Sequence, residues 1–159
     1  MTLSQFVSKL NWRLILVHLI ACWFFIHAFL EFAGLHDIDI YKEVKDIRSS
    51  AVQSRIYYDA IWISLSEDAG LLTAFIISLV LSIKHRWHWL NSVIVLLVGF
   101  FLNRFDLFGW HFLKHIFLKP GYLFKSDIGF YLTNGLIMLT IGLLVFFLKW
   151  SVRFINGNR

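Results

Sequence analysis

Residues 14–35 read LILVHLIACWFFIHAFLEFAGL, and this stretch decides the fold class of the chain. About 20 apolar residues are enough for a helix to cross the hydrocarbon core of a bilayer, and here the only charged side chain is Glu31, near the end. Trp12 and Arg13 precede the stretch, as aromatic and basic anchors do at membrane interfaces. A basic start before an apolar run resembles a signal peptide, but this run is too long and too aromatic and lacks a small-residue cleavage site. We therefore predict a retained first transmembrane helix over 14–35.

Three further apolar segments follow, at 56–83, 87–103 and 128–148, and the first two are joined by a short turn that makes them antiparallel. The chain of 159 residues is 58% hydrophobic and 16% charged, with a mean hydropathy of +0.69. A soluble domain is about half apolar and about a quarter charged, so this composition does not suit a water-soluble core. We predict an all-α integral membrane protein, a four-transmembrane-helix bundle in a single membrane domain over 1–159.

Two longer polar connections join these spans. Residues 36–55 mix acidic and basic side chains and are expected to form a charged outer loop. Segment 104–127 sets lysines and histidines among aromatic and aliphatic residues, which indicates a short interfacial amphipathic helix between the third and fourth spans. Pro120 and Gly121 end that helix.

The distribution of charge predicts the orientation. Four spans place the N-terminus, the turn after the second span and the C-terminus on one side, where the basic residues occupy segments about half as long as the opposite loops. This basic density predicts both termini in the cytoplasm, in a bacterial inner (plasma) membrane. All ten acidic residues fall on the other side, so a polar site is expected to open outward.

Several classes of partner and cofactor are disfavoured. The net charge is +5, but the basic residues are scattered singly among apolar helices and form no continuous stripe, so we expect no nucleic acid as a partner. The single cysteine, Cys22, excludes an intrachain disulfide and argues against a cysteine-ligated metal. We expect no metal and no cofactor, and we expect membrane lipids as partners.

The first helix carries its own polar candidates. His27 and Glu31 are four residues apart, so they share a helix face and suit a hydrogen bond or a shared cation; the alternative is that both are hydrated at the interface. His18 lies deeper in the same helix and is expected to form a hydrogen bond with a neighbouring helix, with metal or haem ligation as the alternative.

The second span carries a seam of mostly small residues at the spacing of a helix interface. Its members are Ala60, Ser64, Glu67, Leu71, Ala74, Ser78 and Leu81. We interpret it as a contact within the bundle or between copies of the chain. The alternative is that Ser64, Glu67, Asp68 and Ser78 line a polar cavity or conduit.

Polar residues also follow the third span. They are Asn103, Arg104 and Asp106. Arg104 could form an ion pair with Glu67, Asp68 or Glu31 and so hold the helix ends together. The alternative is that these residues bind a lipid headgroup or the carboxylate of a substrate. His111 and His115 have a spacing compatible with metal binding, but with the neighbouring lysines they are better explained as a polar face meeting phosphate headgroups.

No complete catalytic motif is present, so we expect a non-enzymatic protein that self-associates or joins a membrane complex. Its outer vestibule would bind or conduct a small solute or ion. The first alternative is a membrane-embedded enzyme acting on a lipid-like substrate at the outer leaflet, and the second is a lipid-binding or scaffold subunit. The candidate residues for the vestibule are His27, Glu31, Glu67, Asp68, Asn103, Arg104, Asp106, His111 and His115.

Overall fold

The computed structural model describes residues 9–43, 49–105, 107–108, 116–117 and 119–157, and describes side-chain surroundings for these except within 36–60. All regular structure in the described part of the chain is helical. The α-helices whose bounds the structure describes are α1 (Trp12–Glu43), α2 (Ser49–Lys84), α3 (Leu90–Arg104), α4 (Asp127–Phe147) and α5 (Lys149–Asn156). A short 3-10 helix, Lys119–Leu123, precedes α4.

Three of these helices are long and apolar enough to cross a membrane. The apolar stretches are Trp12–Leu35 in α1, Ile61–Lys84 in α2 and Asp127–Phe147, which is all of α4. The prediction of a helical membrane protein is confirmed to this extent. Helix α3 is apolar but has 15 residues. Its length is therefore about 22 Å, shorter than the roughly 30 Å of a bilayer core.

Helical backbone also extends into the charged stretch 36–55, which we expected to be an outer loop. Helix α1 continues to Glu43 and α2 already begins at Ser49. The described parts of this stretch, 36–43 and 49–55, contain neither glycine nor proline, the residues that weaken or break a helix. The predicted interfacial helix lies mostly outside the described residues, which include only its residues 104–105, 107–108, 116–117 and 119–127.

Helix α1 is the central helix of the bundle. Within the bundle 72% of its apolar stretch is buried, against 22% for α2 and 28% for α4. It packs mainly on α4 and α2, through a core that includes Phe25, Leu71 and Phe146. The outer faces of α2 and α4 are therefore exposed, whereas His18, His27 and Glu31 of α1 are buried inside the protein.

The seam of α2 packs against α1 at very short range. Leu71, Ala74, Ser78 and Leu81 are all buried. At Gly70 an added Cβ would lie 2.8 Å from the Cα of Ile26, so only glycine fits between the two backbones. The interpretation of the seam as a contact within the bundle is confirmed from Leu71 to Leu81, because these side chains are buried against other helices of the same chain.

The two ends of the bundle differ in charge. Leu148 adopts an extended conformation (φ −59°, ψ 132°), which separates α4 from α5. Asn11 Nδ2 donates to the carbonyl oxygen of Ile155 in α5 (3.1 Å), and Trp87 Nε1 donates to Asn156 Oδ1 (2.8 Å). We call the end formed by the start of α1, turn 85–89 and α5 the basic end. The opposite end, at the level of Glu31 and Glu67, is the acidic end.

Candidate functional site

Two ionisable residues of α1 are buried near the acidic end. His27 is 8% exposed and Glu31, one helical turn further on, is 4% exposed. This burial excludes the alternative that both are hydrated at the interface, and it follows from the central position of α1. Ionisable groups inside a membrane span are costly, which makes them candidates for function. The His27 ring also contacts the Trp23 indole edge to face, with centroids 4.3 Å apart.

A second polar contact links α2 to α3. Asn103 Nδ2 donates a hydrogen bond to Glu67 Oε2 at 3.0 Å. The described contact with Glu67 thus comes from Asn103, whereas the sequence suggested Arg104, which is exposed. Asp68 is half-buried beside this pair on the chain. Three other candidates, Asp106, His111 and His115, lie outside the described residues.

A cavity of about 490 Å³ opens on the side of the bundle where α3 ends. Every described residue that lines it is apolar. They are Leu16, Leu19, Ile20, Trp23 and Phe24 of α1, with Leu102, Leu107, Phe108 and Phe117. Five of these residues belong to the apolar stretch of α1 that is long enough to span a membrane.

Trp23 connects this cavity to the buried ionisable pair. Its indole Nε1 donates to the carbonyl oxygen of Phe108 at 2.6 Å, which fixes the ring in the cavity wall. Phe117 packs edge to face on Phe24, with centroids 5.2 Å apart. The same indole contacts the His27 ring. An elongated apolar ligand in the cavity would therefore have ionisable groups near one of its ends.

A separate buried polar network lies deeper, toward the basic end. His18 Nδ1 is 2.7 Å from Ser78 Oγ, and Ser78 donates to Ser92 Oγ, which is hydrogen bonded to Ser82 Oγ, both at 2.9 Å. The predicted hydrogen bond from His18 to a neighbouring helix is confirmed. The imidazole of His18 has a second polar atom, Nε2. That atom has no hydrogen-bond partner in the described part of the chain.

Among the described residues, no three His, Cys, Asp or Glu side chains come close enough together to hold a metal ion. No protein-family model, no curated protein and no solved structure matches this chain. The function must therefore be argued from the site itself.

The cavity was missed at the sequence level, although α1 carries a signal for it. Leu16, Leu19, Ile20, Trp23 and Phe24 follow the spacing of one helix face, and this face contains no small residue. Small residues permit close helix contacts in membranes and large ones hinder them, and Leu16 and Ile20 of this face are exposed. Phe108 and Phe117 carry no comparable signal, because only the fold brings them to α1.

Proposed function

We propose that this protein is a small integral membrane protein that binds the hydrocarbon chain of a lipid-like molecule, with His27 and Glu31 beside the polar end of the ligand. The observation that carries the proposal is the apolar cavity between α1 and the end of α3. In the same proposal α3 completes a fourth crossing, both termini lie in the cytoplasm of a bacterial cell, and the ligand enters from the outer leaflet.

The size and lining of the cavity support a hydrocarbon ligand. Its volume falls within the range of about 300–1,000 Å³ that is typical of small-molecule sites. Bulk lipid already surrounds apolar surfaces in a membrane, so burying a hydrocarbon chain gives little hydrophobic gain there. Selection of one ligand among many lipids therefore has to come from its polar end, and we propose that this end lies beside the buried His27, whose ring contacts Trp23 in the cavity wall, and Glu31 one helical turn further on.

This proposal is favoured over an outward vestibule that binds or conducts ions. A vestibule would require polar side chains of α2 to face an open space. Among the described residues, Glu67 and Ser78 of α2 instead form hydrogen bonds with other helices of the same chain. Glu67 accepts from Asn103, and Ser78 is hydrogen bonded to His18 and Ser92. The described cavity beside α1, in contrast, is lined by apolar residues.

A photoactivatable fatty acid bound to the purified protein tests the proposal. Crosslinks are expected within 16–24 and 102–108, and Ile20→Trp, which fills the cavity, should abolish them. Leu72→Trp is the matched control, because Leu72 is 51% exposed on the lipid face of α2 and Ile20 is 46% exposed. Labelling spread equally over the outer faces of α2 and α4, or unchanged in Ile20→Trp, would refute the proposal.

The role of the polar end is tested with the same probe. His27→Phe, which removes the ring N–H donors, is expected to weaken fatty-acid binding roughly tenfold, the effect of losing one hydrogen bond to a charged headgroup, whereas Glu31→Gln, which removes a carboxylate beside that of the probe, should not weaken it. A photoactivatable alkane without a headgroup should label both variants as it labels the wild type. Equal losses for both probes would mean that the substitutions disturb the cavity and not the recognition of a headgroup.

A further inference from the structure

A second cavity, of about 350 Å³, lies at the basic end between the last turn of α2, the end of α4 and α5. Its rim carries Lys84, His85, Lys149 and Arg153, and its floor is apolar and includes Phe146 and Val152. We call it the basic groove. It combines cationic groups with an apolar surface, unlike the wholly apolar cavity beside α1.

None of the described residues that line this groove is acidic. All ten acidic residues lie between 31 and 68 or at 106 and 127. Along the helices Asp68 is about 24 Å from Lys84 and Asp127 is about 33 Å from Lys149. Both separations exceed the screening length of about 10 Å in physiological salt, so these acidic residues do not compensate the charge of the groove.

Arg13, a basic residue near the groove, differs from the basic residues of the groove because its side chain contacts another helix of the same chain. Arg13 Nη1 donates to the carbonyl oxygen of Phe154 in the last turn of α5, and its guanidinium lies 5.5 Å from the centroid of the Phe154 ring. Arg13 thus stabilises the C-terminal end of a helix, where a cation is favoured. Lys84, Lys149 and Arg153 make no ion pair in the described part of the chain.

Aromatic residues place the groove at the level of lipid headgroups. Trp150 and Phe154 stack on the exposed face of α5, with ring centroids 5.6 Å apart. Tryptophan is enriched where the hydrocarbon core meets the headgroups, and an amphipathic helix such as α5 lies in that region. The apolar floor of the groove continues into the ends of α2 and α4, which reach the acyl chains.

We infer that the basic groove binds an anionic phospholipid, whose headgroup phosphate contacts Lys84, Lys149 and Arg153 while its acyl chains cover Phe146 and Val152. Arginine offers paired donors to phosphate oxygens, and the lysines act as point charges. A free phosphate ion would use the rim and leave the apolar floor exposed. The inference is independent of the proposed function, because the two sites lie at different ends of the bundle and share no residue.

The test compares phosphatidylglycerol with phosphatidylcholine on the intact protein, by native mass spectrometry of lipid adducts and by binding in nanodiscs of the two lipids. Wild-type protein is expected to prefer phosphatidylglycerol. The double variant Lys84→Gln with Arg153→Gln should lose on the order of 30-fold in that affinity, since each basic residue near a membrane surface contributes a factor of about 5. Phosphatidylcholine binding should stay unchanged.

Two controls separate the groove from general positive charge and from misfolding. Arg86→Gln with Lys125→Gln removes the same charge outside the groove and should keep the wild-type preference, as should the charge-retaining pair Lys84→Arg with Arg153→Lys. Independently of any variant, photoactivatable phosphatidylglycerol should crosslink to wild-type residues 146–153. An equal loss in the Arg86 and Lys125 control, effective competition by inorganic phosphate, or crosslinks that avoid 146–153 would overturn the inference.

Discussion

Substitution of Gly70 by alanine tests the close packing of α1 on α2, which buries Ser78 against His18. The new Cβ would lie 2.8 Å from the Ile26 Cα and 2.8 Å from the Phe25 carbonyl oxygen. Ordinary contacts begin at about 3.5 Å, so the two helices would have to separate by roughly 0.7 Å. Because both obstacles are backbone atoms, we take the upper end of the overpacking range, about 3 kcal/mol.

The intrinsic preference of alanine for helix offsets about 1 kcal/mol of this cost. The expected net loss in the free energy of unfolding is therefore about 2 kcal/mol. Gly99→Ala is the matched control, because the atoms nearest its new Cβ are Leu71 Cδ1 at 2.9 Å and Cys22 Sγ at 3.3 Å, both at the ends of side chains. These can move aside, so the control should be close to neutral.

Unfolding of both variants can be followed by circular dichroism as sodium dodecyl sulfate is added to protein in mild micelles. If the free energy of unfolding of Gly70→Ala is no lower than that of Gly99→Ala, α1 and α2 do not approach each other closely at Ile26 and Gly70. A loss of the same size in both variants would also contradict this close approach, because the two sites differ only in whether backbone or side-chain atoms obstruct the methyl group.

Three further outcomes follow from the structure. Ser78→Ala should lower the free energy of unfolding by about 1–2 kcal/mol in the same titration, because it leaves buried polar atoms of His18 and Ser92 without partners. Ser66→Ala loses only a hydrogen bond to its own helix and should have little effect. Equal effects of the two substitutions would contradict the buried network. Cys22 is 1% exposed, so a maleimide should label it only after denaturation, and rapid labelling of the folded protein would contradict a central α1. For the proposed topology, an impermeant maleimide should label Lys125→Cys in intact cells and Arg86→Cys only in permeabilised cells; the opposite pattern would reverse the orientation.

Several features of the fold were predictable because they depend on composition and local spacing. The apolar stretch 14–35 is long enough to span a bilayer in any packing arrangement, and it is part of α1 in the structure. The spacing of Leu71, Ala74, Ser78 and Leu81 likewise places them on one helix face, whatever lies opposite. The extra helix α5 was not predicted, because the apolar segment at 128–148 ends before it begins. Its signal was present in the paired spacing of Trp150 with Phe154 and of Ser151 with Ile155.

The candidate sites depended on tertiary structure to a larger degree. The sequence placed His27 and Glu31 on one helix face but could not decide between a hydrated and a buried position, because burial depends on which helix is central. It could not choose Asn103 over Arg104 as the contact of Glu67, since adjacent residues point about 100° apart on a helix and only the crossing of α2 and α3 selects one.

By itself, then, the sequence determined a helical membrane protein with its acidic residues gathered toward one end, since both properties follow from composition and from the order of residues along the chain. Tertiary structure alone decided that α1 lies at the centre, that a short α3 leaves a cavity beside Trp23, and that Lys84, Lys149 and Arg153 meet around one groove. The physical reason is that cavities and charge clusters are formed by residues far apart in sequence, and local propensities carry no information about which helix faces meet.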